Sequence, residues 1–297
     1  MAVYTCRRCE FESDEPWEET CPGCGGFYRP RKFGVDSMEQ KGEHQTMGGK
    51  ASLSKIHHIS TGDEGFDHVL SGGLVAGKVL LLGGFAGVGK TRKLLAIADY
   101  IAKTQGKVIY ASGEESADDV NMAAASLGLK NDQVIILGNQ YWIEPVLELA
   151  KKVNAFLVIW DSGQKFASKS ASGMPGSQSQ CKAIGKEIKE YCGGKTKTCG
   201  IVVNQMSSTG DLKGGTELEH HCDTVAVLAF AKPDDADAPL GIDDLRLLVG
   251  SKNRVGKENL KSYFKMNDEG RLELVPPRSK IEVRGGKYRR DDEDDAA

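Results

Sequence analysis

One short stretch constrains this chain more than any other. Gly84-Phe85-Ala86-Gly87-Val88-Gly89-Lys90-Thr91 fits the Gly-x-x-x-x-Gly-Lys-Ser/Thr pattern, and it stands between an apolar run at 79–82 and a helix-length segment at 91–104. Glycines there let successive backbone N–H groups close around phosphate oxygens, and the helix that follows aims its positive end at the same anion. Lys90 is then positioned for the β- and γ-phosphates and the Thr91 hydroxyl for Mg²⁺, with Arg92 the next residue of the same binding segment. A loop of this kind works only at the end of a buried strand, so it commits the chain to an α/β core.

The rest of the sequence agrees. From residue 56 onward, strand-like apolar runs alternate with helix-length segments: 79–82 and 91–104, 108–111 and 117–127, 134–137 and 143–153, 156–160 and 178–191, then 200–203 and 225–230. That succession predicts a mainly parallel sheet flanked by helices on both faces. Runs at 245–251 and 261–266 lack intervening helices and predict an antiparallel extension at the sheet edge. The expected organisation is a cysteine module at 1–29, a linker at 30–52 without periodicity, an ATPase core at 53–275, and a basic then acidic tail at 276–297 without fixed structure.

Hydrolysis of a bound nucleotide needs a carboxylate beside the metal and a group that polarises water. The apolar run at 156–160 ends in Asp161, at the strand edge where ligands bind in such sheets; the alternative is an ordinary strand-end turn residue. The run at 108–111 ends in Ser112-Gly113-Glu114-Glu115-Ser116, where Glu114, or failing it Glu115, can face the γ-phosphate; an exposed pair of loop glutamates is the alternative.

Cysteine usage adds a second feature. Cys6, Cys9, Cys21 and Cys24 form two Cys-x-x-Cys pairs with eleven residues between them, the pattern of a closed four-thiolate site for structural Zn²⁺. Cys181, Cys192, Cys199 and Cys222 are scattered and read as small buried hydrophobes. A net charge of −3 argues against a globally basic surface, so any nucleic-acid contact must be local. No run reaches the roughly 18 apolar residues that span a bilayer, and the first residues lack a signal-peptide core, so no membrane partner and a cytoplasmic location are expected.

These motifs together resemble the bacterial RadA (Sms) DNA-repair ATPases, which are RecA-like and related to DnaB-type helicases. The likeness rests on the cysteine module, Ile59-Ser60-Thr61-Gly62 with Gly65-Phe66-Asp67, Leu70-Ser71-Gly72-Gly73-Leu74, the phosphate loop, Ser112 to Ser116, Asp161-Ser162, Pro175-Gly176-Ser177, Leu218-Glu219-His220 with Asp223-Thr224, and Lys252-Asn253-Arg254-Val255-Gly256. The resemblance implies a RecA-like core with a zinc-ribbon-like module, ATP with Mg²⁺ and Zn²⁺ as cofactors, and a homo-hexameric ring acting as a helicase-like motor. Single-stranded DNA in recombination, branch migration or repair would be its substrate, and a recombinase or replication protein a partner for the zinc module. It makes Lys252 and Arg254 candidate fingers toward a neighbouring subunit's nucleotide; Gln205, a departure from that family, looks instead like the γ-phosphate sensor of other RecA-like motors. Lys165, Lys169 and Lys213, in the loops 165–179 and 206–215, become candidate DNA contacts.

The sequence departs from the family in three places. Val255 stands where the signature has Phe, Asn204-Gln205 replaces a Gly-His pair, and the family's Lon-protease-like C-terminal domain is expected to be missing. A KaiC-like switch or scaffold, with the zinc module binding a protein partner, is the competing expectation.

Overall fold

The computed structural model describes residues 56–195, 197–207, 217–232 and 241–276, with 235, 237–239, 281–284 and 287–290, and in the N-terminal segment 3–6, 9, 11–15, 17, 20–26 and 31–33. The chain divides into two compact units, Met1–Ser54 and Lys55–Ala297.

In the first unit, β1 (Val3–Thr5) pairs antiparallel with β2 (Glu12–Ser13) on one side and β3 (Arg31–Phe33) on the other. β3 falls within the expected linker, so the cysteine module runs past residue 29. Three residues are too few to show alternation, and the pairing with β1 is non-local. The remainder of 30–52 lies outside the described residues.

The second unit opens with β4 (His58–Ile59), α1 (Glu64–Val69) and β5 (Leu74–Val75). Asp67 of α1 accepts from Thr61 N at 2.9 Å, Thr61 Oγ1 at 2.6 Å and Ser60 Oγ at 2.7 Å, so Ser60-Thr61-Gly62 serves as a brace on the helix. The core then alternates β6 (Val79–Gly84), α2 (Lys90–Thr104), β7 (Val108–Ser112), α3 (Ala117–Ser126), β8 (Val134–Leu137), α4 (Ile143–Val153), β9 (Leu157–Asp161), α5 (Gln178–Gly193), β10 (Cys199–Gln205), α6 (Glu217–His221) and β11 (Thr224–Phe230). β12 (Leu245–Asn253), β13 (Lys261–Met266) and β14 (Leu272–Val275) complete one nine-stranded sheet of order β14-β13-β12-β11-β6-β10-β9-β7-β8. β8, β7, β9, β10, β6 and β11 run parallel, and β12 to β14 continue antiparallel at the edge, as the sequence predicts.

Both faces of the parallel part are covered, and side-chain alternation shows how. Leu80, Leu82, Val108, Tyr110, Leu157 and Ile159 join one apolar cluster with Leu94, Ile97 and Ile101 of α2 and Val120 of α3. Val79, Leu81, Ile109, Ala111, Val158 and Trp160 join the other, with Ile143 and Val146 of α4 and Ile184 and Ile188 of α5. A period of two on strands buried on both faces leaves no polar position, hence the continuous apolar runs.

Downstream, β15 (Ile281–Arg284) and β16 (Lys287–Arg290) pair as an antiparallel hairpin within the segment expected to lack structure.

One charged pair is enclosed in this fold. Asp63 caps α1 by accepting from Phe66 N at 2.8 Å and binds the Lys93 ammonium of α2, which also donates to Leu272 O at 2.8 Å and lies 4.1 Å from the Phe264 ring centroid. Burial draws the Lys93 ammonium below its ordinary value, and Asp63 opposes that. Asp63→Ala should therefore cost about 3 kcal/mol or more in urea denaturation, because it strands a buried charge, and Lys93→Met in the same chain should recover part of the loss.

Candidate nucleotide site and cysteine centre

The parallel strands end at one edge, and the chemistry-bearing residues gather there. Register sets Gln205 beside Gly84, Asp161 beside Val203, and Ser112 beside Asp161. Gly87 and Gly89 hold φ of 75° and 104°, values that favour glycine, and Gly89 is the N-cap of α2. Lys90, 9% exposed, donates from Nζ to Gly84 O and Phe85 O, both at 2.8 Å. Its ammonium thus fills the loop that phosphate oxygens would enter. Burial draws it below its ordinary value, while Asp161 and Glu114 pull the other way.

Asp161 is partly buried, and its Oδ2 accepts from Thr91 Oγ1 at 3.2 Å and from the buried Tyr110 hydroxyl. Desolvation raises its carboxyl above the usual range; the Tyr110 bond, Lys90 and Thr91 counter that. Tyr110 itself is pushed well up by burial and by the Asp161 charge, so its proton stays in place as a donor. Thr91 and Asp161, hydroxyl and carboxylate in contact, are the donor set that suits Mg²⁺.

The chain turns sharply after both strands. Gly113 N donates to Asp161 O at 2.7 Å, and a cis peptide joins Asp161 to Ser162. Glu114 leaves this turn with its carboxylate accepting from Ser162 Oγ at 2.9 Å and from Gln205 Nε2 at 3.1 Å, with Lys165 Nζ 3.9 Å away. Gln164 Oε1 in turn accepts from Gln205 N at 3.1 Å. Of the two glutamates it is Glu114 that meets Gln205. Glu115 is exposed beside it, its carboxyl raised by desolvation and then by the charges of Asp161, Asp119 and Glu114.

Other candidates lie elsewhere. Arg92 donates from Nη1 to Glu269 O at 3.2 Å and packs against Gly270 of the β13–β14 turn. Lys252 donates to Glu219 O at 2.7 Å, and Arg254 is exposed. Asn253 pairs in register with Thr224, which aligns with Leu80 near the start of β6, so this signature sits about 13 Å along the strands from the phosphate-loop edge of the same subunit. Lys169 lies 5.9 Å from the Trp142 ring centroid. Lys213 lies outside the described residues. Tyr110 and Gln164 were not visible as site residues in the sequence, since an apolar strand and a Gly-Gln turn carry no motif of their own, and Ser162 entered only within Asp161-Ser162, without a role.

In the N-terminal unit, Cys6, Cys9, Cys21 and Cys24 bring all four Sγ atoms within 4.8 Å of one another. Cys6 and Cys24 are 3.9 Å apart and Cys9 and Cys21 3.7 Å, against about 3.8 Å for four sulfurs arranged tetrahedrally around one zinc. Gly23 N donates to Cys21 Sγ at 3.3 Å, and Cys6 N and Cys21 N bond Phe11 O and Gly26 O, both at 2.9 Å, as tight thiolate turns require. The residues fit Zn²⁺. Cys181, Cys192, Cys199 and Cys222 are buried, and burial pushes the Cys199 and Cys222 thiols up to about 12, where they are inert.

Fold and site together define a RecA-like P-loop ATPase domain. A family model described as "ATPase: KaiC" matches residues 59–154. The crystal structure of KaiC-like protein PH0186 from Pyrococcus horikoshii OT3 shares the fold at a TM-score of 0.60 and 19% identity, covering 74% of this chain and 100% of that one. In sequence the chain is RadA-like along nearly its whole length. It is 30% identical over 290 residues to DNA repair protein RadA of Aquifex aeolicus, covering 92% of this chain and 60% of that protein. It is 29% identical over 290 residues to the Bacillus subtilis protein, with the same coverage, and 30% identical over 296 residues to the Campylobacter jejuni one, covering 96% and 63%. The chain therefore spans roughly three fifths of the length of these relatives. Among the described residues no helix is long and apolar enough to cross a membrane.

Two outcomes test the site as built. Tyr110→Phe removes a donor to the charged form of Asp161, so Mg²⁺-dependent nucleotide affinity should fall roughly tenfold in calorimetric titration. Cys6→Ser should release the zinc; elemental analysis showing unchanged metal content would overturn the four-thiolate centre.

Proposed function

We propose that this chain hydrolyses ATP in response to single-stranded DNA, as a helicase-like motor of DNA recombination, branch migration or repair. One observation carries the reading: Glu114, on the wall of the phosphate-loop cleft, is hydrogen-bonded at 3.1 Å by Gln205, the last residue of the strand beside β6. A carboxylate there polarises water, and an amide bonded to it reports the γ-phosphate to the loop that follows β10. Similarity to proteins named DNA repair protein RadA supports DNA as the stimulus.

On this reading Lys90 exchanges its bonds to Gly84 O and Phe85 O for phosphate oxygens. Thr91 and Asp161 hold Mg²⁺, which when bound neutralises phosphate charge. Glu114 accepts the proton of the attacking water, and Gln205 and Ser162 orient it. Lys252 and Arg254, at the opposite end of the strands from their own phosphate loop, act on the nucleotide of a neighbour in a hexameric ring. Lys165, Lys169 and Lys213 contact DNA phosphates, and the zinc module engages a recombinase or replication protein.

Glu114→Gln should keep nucleotide affinity within about twofold while turnover falls by a factor of roughly 10² or more, the scale of general-base loss. Normal turnover would move the role to Glu115. For the reading as a whole, ATP turnover that does not respond to single-stranded DNA at any salt concentration would sink it. The match to the KaiC family model favours a second reading, a nucleotide-set assembly switch; assembly on non-hydrolysable ATP without DNA, together with DNA-independent turnover, would select it.

A further inference from the structure

Three large exposed side chains stand on two adjoining loops at the nucleotide edge of the sheet: Tyr141 at 55%, Trp142 at 44% and Met174 at 80%. Tyr141 and Trp142 lead from β8 into α4, with Trp142 at the helix N-cap, and Met174 belongs to the loop between β9 and α5. The two loops are laced together. Ala167 N donates to Tyr141 O at 2.7 Å, Ile143 N donates to Ala167 O at 3.0 Å, and Trp142 and Ala167 form a parallel bridge. The backbone beneath the aromatic pair is thus fixed while the rings face water.

A cation stands by one ring. Lys169 Nζ lies 5.9 Å from the Trp142 centroid, and Lys165, four residues earlier in the same loop, is 49% exposed with its ammonium 3.9 Å from Glu114 Oε1. Two carboxylates by this loop are taken up within it: Glu144 Oε1 accepts from Lys169 N at 2.6 Å and from Ser168 Oγ at 3.4 Å, and Glu187 Oε1 accepts from Ser168 Oγ at 2.5 Å and Ser170 Oγ at 2.6 Å. An apolar protein partner has no use for the ammonium groups, and a small anion has none for the rings. A chain of π-faced bases on a phosphate backbone uses both.

The same loop reaches the catalytic turn. Gln140 N donates to Ser112 O at 2.8 Å and Asn139 N to Glu115 O at 2.9 Å, while Gln140 Nε2 donates to Trp142 O at 2.7 Å. One hydrogen-bonded layer therefore separates the rings from the segment that carries Glu114.

We propose that Tyr141 and Trp142, with Lys169 beside them, form a base-stacking platform for single-stranded nucleic acid, coupled through residues 139–140 to the Glu114 turn. This rests on the reading of the chain as one that acts on single-stranded DNA. No motif marks the platform.

Binding of a thymidine oligonucleotide to the full chain tests it. Of the three tryptophans, Trp160 is fully buried and Trp17 belongs to the other unit, so quenching on binding should vanish in Trp142→Phe while affinity is largely kept. Trp142→Ala should weaken binding roughly 5- to 150-fold, the range for one stacked base, with an unchanged salt slope; Lys169→Gln should lower that slope by about 0.7. Wild-type affinity in Trp142→Ala overturns the platform alone. A loss of affinity accompanied by smaller particles assigns Trp142 to a contact between copies and overturns it too. Failure of the wild-type chain to bind the oligonucleotide at low salt overturns the DNA reading itself, and the platform with it.

Discussion

The partly buried carboxylate of Asp161 is the point on which this structure turns. It terminates β9, which lies between β7 and β10, and its partners come from separate elements, Tyr110 of β7 and Thr91 of α2. Through the bond from Gly113 N to its carbonyl it also fixes the turn from which Glu114 departs. Shift β9 by one residue and the alternation reverses, Trp160 moves to the wrong face, and a charge enters the core. Strand register, helix placement and the cleft are thus one constraint. Lys90 sits near Asp161 but bonds to carbonyls instead of pairing with it, so each charge bears its own desolvation and the pair stays available to an anion and a cation.

The opposite end of the sheet is organised differently. Asp223, at the mouth of β11, accepts from Val79 N at 3.0 Å, binds the Lys189 ammonium and lies 3.6 Å from Lys78 Nζ, tying β6, β11 and α5 together. Asn253 bonds Val255 N at 3.1 Å and Lys257 O at 3.2 Å, and Ser71 Oγ takes Lys257 N at 2.8 Å. Within Lys252-Asn253-Arg254, then, the asparagine shapes the turn. Arg254 is left exposed by that turn, its backbone N–H donating to Asp223 O at 3.0 Å.

What the sequence makes legible follows from range. Period-two and helical runs are local, and they locate every parallel strand of the sheet and the helices α2 to α5 to within a residue or two, while α6, with five residues, is too short to show a period. A glycine-rich loop followed by Lys-Thr, and two Cys-x-x-Cys pairs, are local too. Contacts that join residues far apart are not legible. Nothing in the chain announces that Lys93 meets Asp63, that Arg92 turns toward Glu269, or that Tyr110, an ordinary member of an apolar strand, reaches Asp161. β3 and β14 are short, and β15 and β16 carry dense charge, so periodicity fails there for want of residues or contrast.

Energetics divide the site into a fixed half and a movable one. Asp161, Tyr110 and Lys90 are held by burial, where losing a partner leaves a desolvated charge or hydroxyl and costs about 1–3 kcal/mol each. Glu114 is held by hydrogen bonds on an exposed surface and by one ion pair at 3.9 Å, contributions of about 1 kcal/mol or less apiece. Three loops meet at it: the one after β7 carries it, the one after β9 supplies Ser162 and Lys165, and β10 ends in Gln205. The loop after β8 bonds to its backbone turn. A ligand that engages any of these loops needs to supply only about 1–3 kcal/mol to move the carboxylate, whereas Asp161 and Lys90 stay where burial put them. That asymmetry suits a site in which one half stands ready while the carboxylate of Glu114 answers to events along the sheet edge.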